Sequence, residues 1–122
     1  MKKKIIIETA KLTADKLILE TNESINGLIP GEQILVDSDN SAFVYLMEDQ
    51  DDYTYIVLSE FLWSDLKTAN EQKLPVVVKS NQEQVELINF YDELDYILSN
   101  IRGNSNYGDE LVTKVERLFI NV

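Results

Sequence analysis

The hydrophobic period of this chain changes at Ser59, and that change restricts its architecture more than any other feature. Before it, apolar and β-branched residues come in short runs parted by polar turn residues, the signature of strands. After it, Leu62, Leu66 and Ala69 recur at helical spacing behind Ser59 and Glu60, an N-cap type and a first-turn acid. A strand-rich first half followed by helices predicts an α+β fold.

Strands are expected at Lys4 to Thr9 and Lys16 to Thr21, joined as a hairpin by Thr13-Ala14-Asp15. A loop built on Asn22, Asn26-Gly27 and Pro30-Gly31 follows. From near Gln33, Ile34-Leu35-Val36 forms a strand that reverses at Asp37-Ser38-Asp39-Asn40 into a strand over Ala42 to Met47. Glu48 to Asp52 is a second polar turn, and Tyr53 to Leu58 is a strand by its aromatic and β-branched content. Beyond the short helix, Leu74-Pro75-Val76-Val77-Val78 reads as a sixth strand closing a β-α-β crossover. Leu87, Tyr91, Leu94, Leu98 and Ile101 then line one face of a helix from about Gln82 to Arg102, stopped by Gly103. Leu111, Val112, Val115, Leu118 and Phe119 make a last apolar helix face. The expectation is a single domain over 1–122: a mainly antiparallel sheet of about five to six strands in meander order, with a C-terminal helical hairpin packed on it.

Composition removes more chemistry than it supplies. There is no histidine and no cysteine, which excludes serine–histidine triads, imidazole proton shuttles, thiolate nucleophiles and the usual zinc and iron–sulfur ligands. What remains is a carboxylate pair, a tuned lysine, a tyrosine, or magnesium held by acids. No catalytic residue and no cofactor is assigned, and the chain reads as leaning away from an enzyme.

Net charge is −11, with Lys2, Lys3 and Lys4 at the start, so the remainder from Ile5 onward carries −14. Such a body repels phosphate, which argues against nucleic acid and anionic membrane as ligands and points to a basic protein partner. Self-association as a homodimer stays open. The apolar run Ile5-Ile6-Ile7 stops at Glu8, and no uninterrupted apolar stretch approaches the length of a membrane helix, so neither a secretory leader nor a span is expected. A cytoplasmic location follows as the default.

Two polar segments are the candidate interaction or ligand sites. Asp37, Asp39 and Asn40 offer hard oxygen ligands at a turn. Glu48 is twelfth counted from Asp37, but Ala42 stands where a calcium loop needs glycine, so a hydrogen-bonded turn is the simpler reading. Asn104, Asn106 and Tyr107 lie in the glycine-bounded loop Gly103 to Gly108 ahead of a helix, which lacks both the lysine and the preceding strand of a phosphate loop. Glu48-Asp49 with Asp51-Asp52 form an acidic tip that suits water or a cation. Trp63, next to the Leu62, Leu66, Ala69 stripe, is placed at the edge of the apolar face, with an exposed interface anchor as the alternative.

The segments Leu35-Val36-Asp37-Ser38-Asp39-Asn40-Ser41-Ala42-Phe43-Val44-Tyr45 and Glu93 to Gly108 (ELDYILSNIRGNSNYG) carry a resemblance. Nearly end to end, and most closely in these segments, the chain resembles a small uncharacterised acidic protein family of unknown function, found in bacilli, staphylococci and related low-GC Gram-positive bacteria. That resemblance implies a stand-alone bacterial protein and brings no activity, cofactor or catalytic residue with it.

The leading expectation is a non-catalytic protein-binding or regulatory module with an acidic surface. The rival is a magnesium-assisted carboxylate enzyme using Asp37, Asp39 and a distant acid, or a small-ligand binder using the Asn104 to Tyr107 loop.

Overall fold

In a computed structural model, which describes residues 3–50 and 52–120, the chain forms two four-stranded mixed sheets and three helices. Strands β1 (Lys3–Ile6), β6 (Asp52–Ser59), β5 (Ala42–Asp49) and β4 (Ile29–Asp37) lie side by side in that order. The second sheet runs β2 (Thr9–Leu12), β3 (Leu17–Glu20), β7 (Val76–Ser80), β8 (Glu83–Glu86). β1 runs parallel to β6, and β3 runs parallel to β7; the other pairings are antiparallel. The helices are α1 (Trp63–Gln72), α2 (Phe90–Ile101) and α3 (Asp109–Val115).

The α+β class and the β4-β5-β6 meander agree with the sequence reading, whereas the single sheet of five to six strands does not. The first apolar segment explains the difference. It divides at Ile7: the Ile7 amide donates to the Val57 carbonyl at 3.3 Å, and the next amide, Glu8, donates to Glu20 at 3.0 Å. One residue step thus carries the chain from the first sheet into the second, so Lys4 to Ile6 never joins the hairpin expected for it. That hairpin is made by β2 with β3, around a turn in which Thr13 Oγ1 accepts from the Asp15 and Lys16 amides at 3.2 and 3.1 Å.

Three further boundaries moved. Pro30-Gly31 lies inside β4, at an irregularity between Pro30 and Ile34, on an edge strand where the missing proline N–H is tolerated. Residues Glu83–Glu86 form β8 with Asn81 at φ 56 before it, and α2 begins only at Phe90. Val85 pairs with Val78 in a hairpin turned at Asn81-Gln82, and this local ladder overrides the helix periodicity extending back to Gln82. Finally, β6 and β7 lie in different sheets, so α1 transfers the chain between sheets and closes no crossover within one.

One contiguous core lies between the sheets and the helices. Phe43 of β5 stacks on Trp63 of α1 at 4.8 Å between centroids, and Phe119, beyond α3, approaches the two rings at 5.9 and 5.8 Å. Trp63 is fully buried with Nε1 donating to the Leu58 carbonyl at 3.2 Å. Tyr45 is buried and donates to the Ile88 carbonyl at 2.6 Å. The C-terminal helical pair packs as expected: Leu94, Leu98, Ile101, Leu111 and Val115 are buried, and Gly103 takes φ 66 at the turn.

The β4 irregularity is fixed by close packing. A Cβ on Gly31 would sit 2.8 Å from the Leu46 carbonyl oxygen, a backbone atom that cannot swing away. Gly31→Ala is therefore expected to cost about 1 to 3 kcal/mol, read as a lowered urea midpoint at unchanged slope. An unchanged midpoint would show that β4 relaxes freely at this point.

Candidate functional site

Side chains alternate between the two faces of a strand, so the register decides what each face of the first sheet carries. Ile5, Phe43, Tyr45, Ile56 and Leu58 point into the core. The opposite face is built in rows. Ile6, Val57, Val44 and Leu35 stand in one row across β1, β6, β5 and β4. On one side of it come Lys4, Tyr55 and Leu46, then Tyr53, Glu48 and Ile29; on the other come Ser59, Ala42 and Asp37.

This outer face is apolar in the middle and open. Val44 and Leu46 are shielded by their neighbours, but Ile6 is 55% exposed, Ile29 62%, Leu35 38% and Tyr53 43%. The face holds a groove of about 720 Å³, lined by residues that include Lys4, Ile6, Leu35, Val44, Tyr55 and Val57, with no helix residue among the described residues that line it. A single isolated exposed apolar residue needs no explanation, but here several are gathered on one sheet face.

Polar groups stand at two ends of the groove. Asp37, Ser38, Asp39 and Asn40 line it where β4 turns into β5. The turn is held by the Asn40 amide donating to Asp37 Oδ1 at 3.3 Å and by Asn40 Nδ2 donating to Oδ2 at 2.9 Å. Both Asp37 oxygens thus take part in the hydrogen-bonded turn. Lys4 lies two rows away on the far edge strand.

Asp37, Asp39 and Asn40 therefore share the groove, while Asn104, Asn106 and Tyr107 are not among its lining residues. The second loop is occupied with itself. Asn104 Oδ1 accepts from the Asn106 amide at 3.1 Å, its Nδ2 donates to the Asn100 carbonyl at 3.3 Å, and the Gly103 amide donates to Glu116 Oε2 at 2.8 Å. Tyr107 is partly buried against the core. That arrangement fits the inter-helix turn better than an anion cradle. Among the described residues no three acids are grouped so that they could hold a metal, so Asp37 and Asp39 find no third carboxylate. Glu48, Asp49 and Asp52 are exposed at the β5–β6 tip, and Asp51 lies outside the described residues.

The apolar face went unread in the sequence, although a signal for it exists. Ala42 to Met47 is six residues of unbroken apolar character, and a strand of that kind is apolar on both faces, unlike the alternating strands around it.

Fold and groove together define a small α+β protein with one sheet face left open. The Family of unknown function (UPF0738) matches residues 5–119, and the chain belongs to that family. It is 43% identical over 122 residues to a UPF0738 protein of Bacillus velezensis, covering 98% of this chain and all of that one. It is 42% identical to UPF0738 protein YjbL of Bacillus subtilis, with the same coverage, and 40% identical over 116 residues to a UPF0738 protein of Staphylococcus epidermidis, covering 95% and 96%. No solved structure matches significantly. The resemblance read at Leu35 to Tyr45 and at Glu93 to Gly108 is thereby established, and among the described residues no helix is long and apolar enough to cross a membrane.

Proposed function

We propose that this protein is a non-catalytic, cytoplasmic protein-binding or regulatory module that docks a basic partner on the open face of its first sheet. The observation that carries this reading is the gathering of Ile6, Ile29, Leu35 and Tyr53 on one face, beside Asp37, Asp39 and Glu48. Burial of those apolar side chains supplies affinity, and the carboxylates steer a cationic partner and select its sign.

A photo-crosslinking residue in place of Leu35 would capture the partner, which is then purified and titrated against the native protein. Leu35→Glu is expected to weaken binding about tenfold or more, the scale of losing one central apolar anchor. Raising salt from about 50 to 300 mM should weaken it further, because carboxylate attraction is screened. Equal affinity for native and Leu35→Glu proteins would overturn the proposal. A second reading, a small-ligand site, draws on the groove volume of about 720 Å³, which lies in the range of small-molecule pockets. A thermal-shift metabolite panel tests it, since a ligand specific to the folded state must raise the melting temperature.

A further inference from the structure

With that open face as the docking surface, we infer that its occupant is an amphipathic α-helix of the partner, basic at the end that meets Asp37 and Asp39. The inference rests on the docking reading and names the partner's chemistry.

An apolar sheet face is normally covered by a helix or by another sheet. The inner face of the first sheet has its cover, because Phe43 meets Trp63 of α1 and Tyr45 meets Phe90 of α2, at 6.1 Å between centroids. The outer face has the apolar row but, among the described residues, no helix residue lining its groove. An extended peptide would instead pair with a sheet edge, and both edges are poor templates. β1 is four residues long and carries Lys3 and Lys4, charges that blunt an edge. On β4 the Ile34 amide is already bonded to Glu93 Oε1 at 3.3 Å, and the strand is irregular between Pro30 and Ile34.

Charge selects among the remaining occupants. The face carries Asp37, Asp39 and Glu48 against Lys4, on a chain of net charge −11. A second copy could set its Asp37 over Lys4, but three acids against one lysine leave uncompensated acid on both copies, whereas a basic helix complements them. Geometry sets its length. Lys4 and Asp37 are three strands apart and two rows apart, a diagonal of roughly 20 Å by standard strand spacings. A helix covers that distance in about thirteen residues. Apolar residues at i, i+3, i+4, i+7 and i+11 would fall over Val57 and Val44, between the exposed Ile6 and Leu35. Basic side chains at one end meet Asp37 and Asp39, and a carboxylate at the other meets Lys4, so the two ends fix the helix's direction.

Phage display of random peptides of about eighteen residues, long enough for such a helix, tests this on the full-length protein. Counter-selection uses Leu35→Glu, with Ile6→Glu as a second variant should the first fold poorly. Enriched peptides should show apolar residues at a period near 3.6, with lysine or arginine at one end. A synthetic peptide from that set should gain helical circular dichroism on binding and lose about tenfold in affinity to Leu35→Glu. The double variant Asp37→Lys, Asp39→Lys should weaken it and bind instead a peptide whose basic residues are changed to glutamate.

Enriched peptides alternating with period two, peptides without basic residues, or no enrichment over Leu35→Glu would each overturn the helix. So would a native protein that is already dimeric and becomes monomeric on Leu35→Glu, which would make the occupant a second copy. If the residue-35 cross-link survives such an outcome and the captured partner still binds Leu35→Glu more weakly than the native protein, the docking face stands and only the helix is lost. If the cross-link also fails, the face goes with it.

Discussion

Trp63→Ala is expected to lower unfolding free energy by about 3 to 5 kcal/mol, the usual cost of emptying a fully packed aromatic site. Trp63 is fully buried, stacked on Phe43 at 4.8 Å and flanked by Phe119 at 5.8 Å. It therefore joins β5, the start of α1 and the segment after α3, and a cavity there loosens three elements together. The indole N–H also satisfies the Leu58 carbonyl at 3.2 Å, which alanine leaves without that donor. Set against a typical total of about 5 to 15 kcal/mol, the loss would leave a marginal protein. Urea unfolding followed by far-ultraviolet circular dichroism measures it, since the substitution removes the chain's one tryptophan fluorophore. Trp63→Phe keeps a ring against Phe43 and should cost clearly less. A loss below about 1 kcal/mol in the alanine variant would mean the stack is not an anchor.

The reading of Trp63 shows where sequence periodicity stops being informative. One helical stripe through Leu62, Leu66 and Ala69 puts its neighbour at the stripe's edge, yet both Leu62 and Trp63 are buried. The helix is covered from two sides, by Phe43 of the sheet and by Phe119 near the end of the chain, and no local pattern reports a contact made so far along the chain. Strand boundaries behaved in the same way. Tyr53 to Leu58 was legible because its residues fit a pleated surface wherever they pair. The partner was not: β6 pairs in parallel with β1, from the opposite end of the chain's first half. The division at Ile7 was hidden because Ile5 and Ile7 are both fully buried, so the apolar run looks like one strand of one sheet.

The candidate site was half legible for a related reason. Asp37, Asp39 and Asn40 announced a turn through short polar side chains able to bond their own backbone, and the turn is there. What gives it company is the row Ile6, Val57, Val44 and Leu35, drawn from four strands. A row across a sheet exists only once the register is known, because a shift of one residue would send every member to the other face. Asn104 and Asn106 announced a turn in the same language, and the Asn104 side chain is spent on that turn, one of its bonds coming from the Asn106 amide. Polar residues in a loop report local geometry first, and a site only when an independent surface meets them.

Raising the pH from about 9 to about 12 is expected to destabilise the protein by about 2 to 4 kcal/mol through two tyrosines, a large effect in a chain without histidine or cysteine. Burial pushes the Tyr45 phenol from its ordinary 10.0 up to about 12; an amide hydrogen bond from Glu32 opposes this, and the charges of Glu32, Glu93 and Glu86 reinforce it. Burial alone pushes Tyr91 up to about 12. A raised acid pKa means the folded state favours the neutral phenol. The stabilisation is complete below pH 10, where the unfolded tyrosine is still protonated, and is lost as pH rises through 12. Each phenol contributes on the order of 1 to 2 kcal/mol once solvent screening is allowed for. Neutral hydroxyls are needed because both donate: Tyr45 to the Ile88 carbonyl just ahead of α2, and Tyr91 of α2 to the Leu74 carbonyl just ahead of β7. Ionisation turns each donor into an acceptor facing an oxygen, which pulls at α2 from both of its anchors. Tyrosinate absorbance should therefore show a late fraction of the six tyrosines ionising near pH 12, and the urea midpoint should fall between pH 10 and 12. Tyr45→Phe and Tyr91→Phe should each lower stability at neutral pH and flatten the alkaline limb. If all the tyrosines ionise near pH 10 while the fold persists, α2 is held by its apolar face alone.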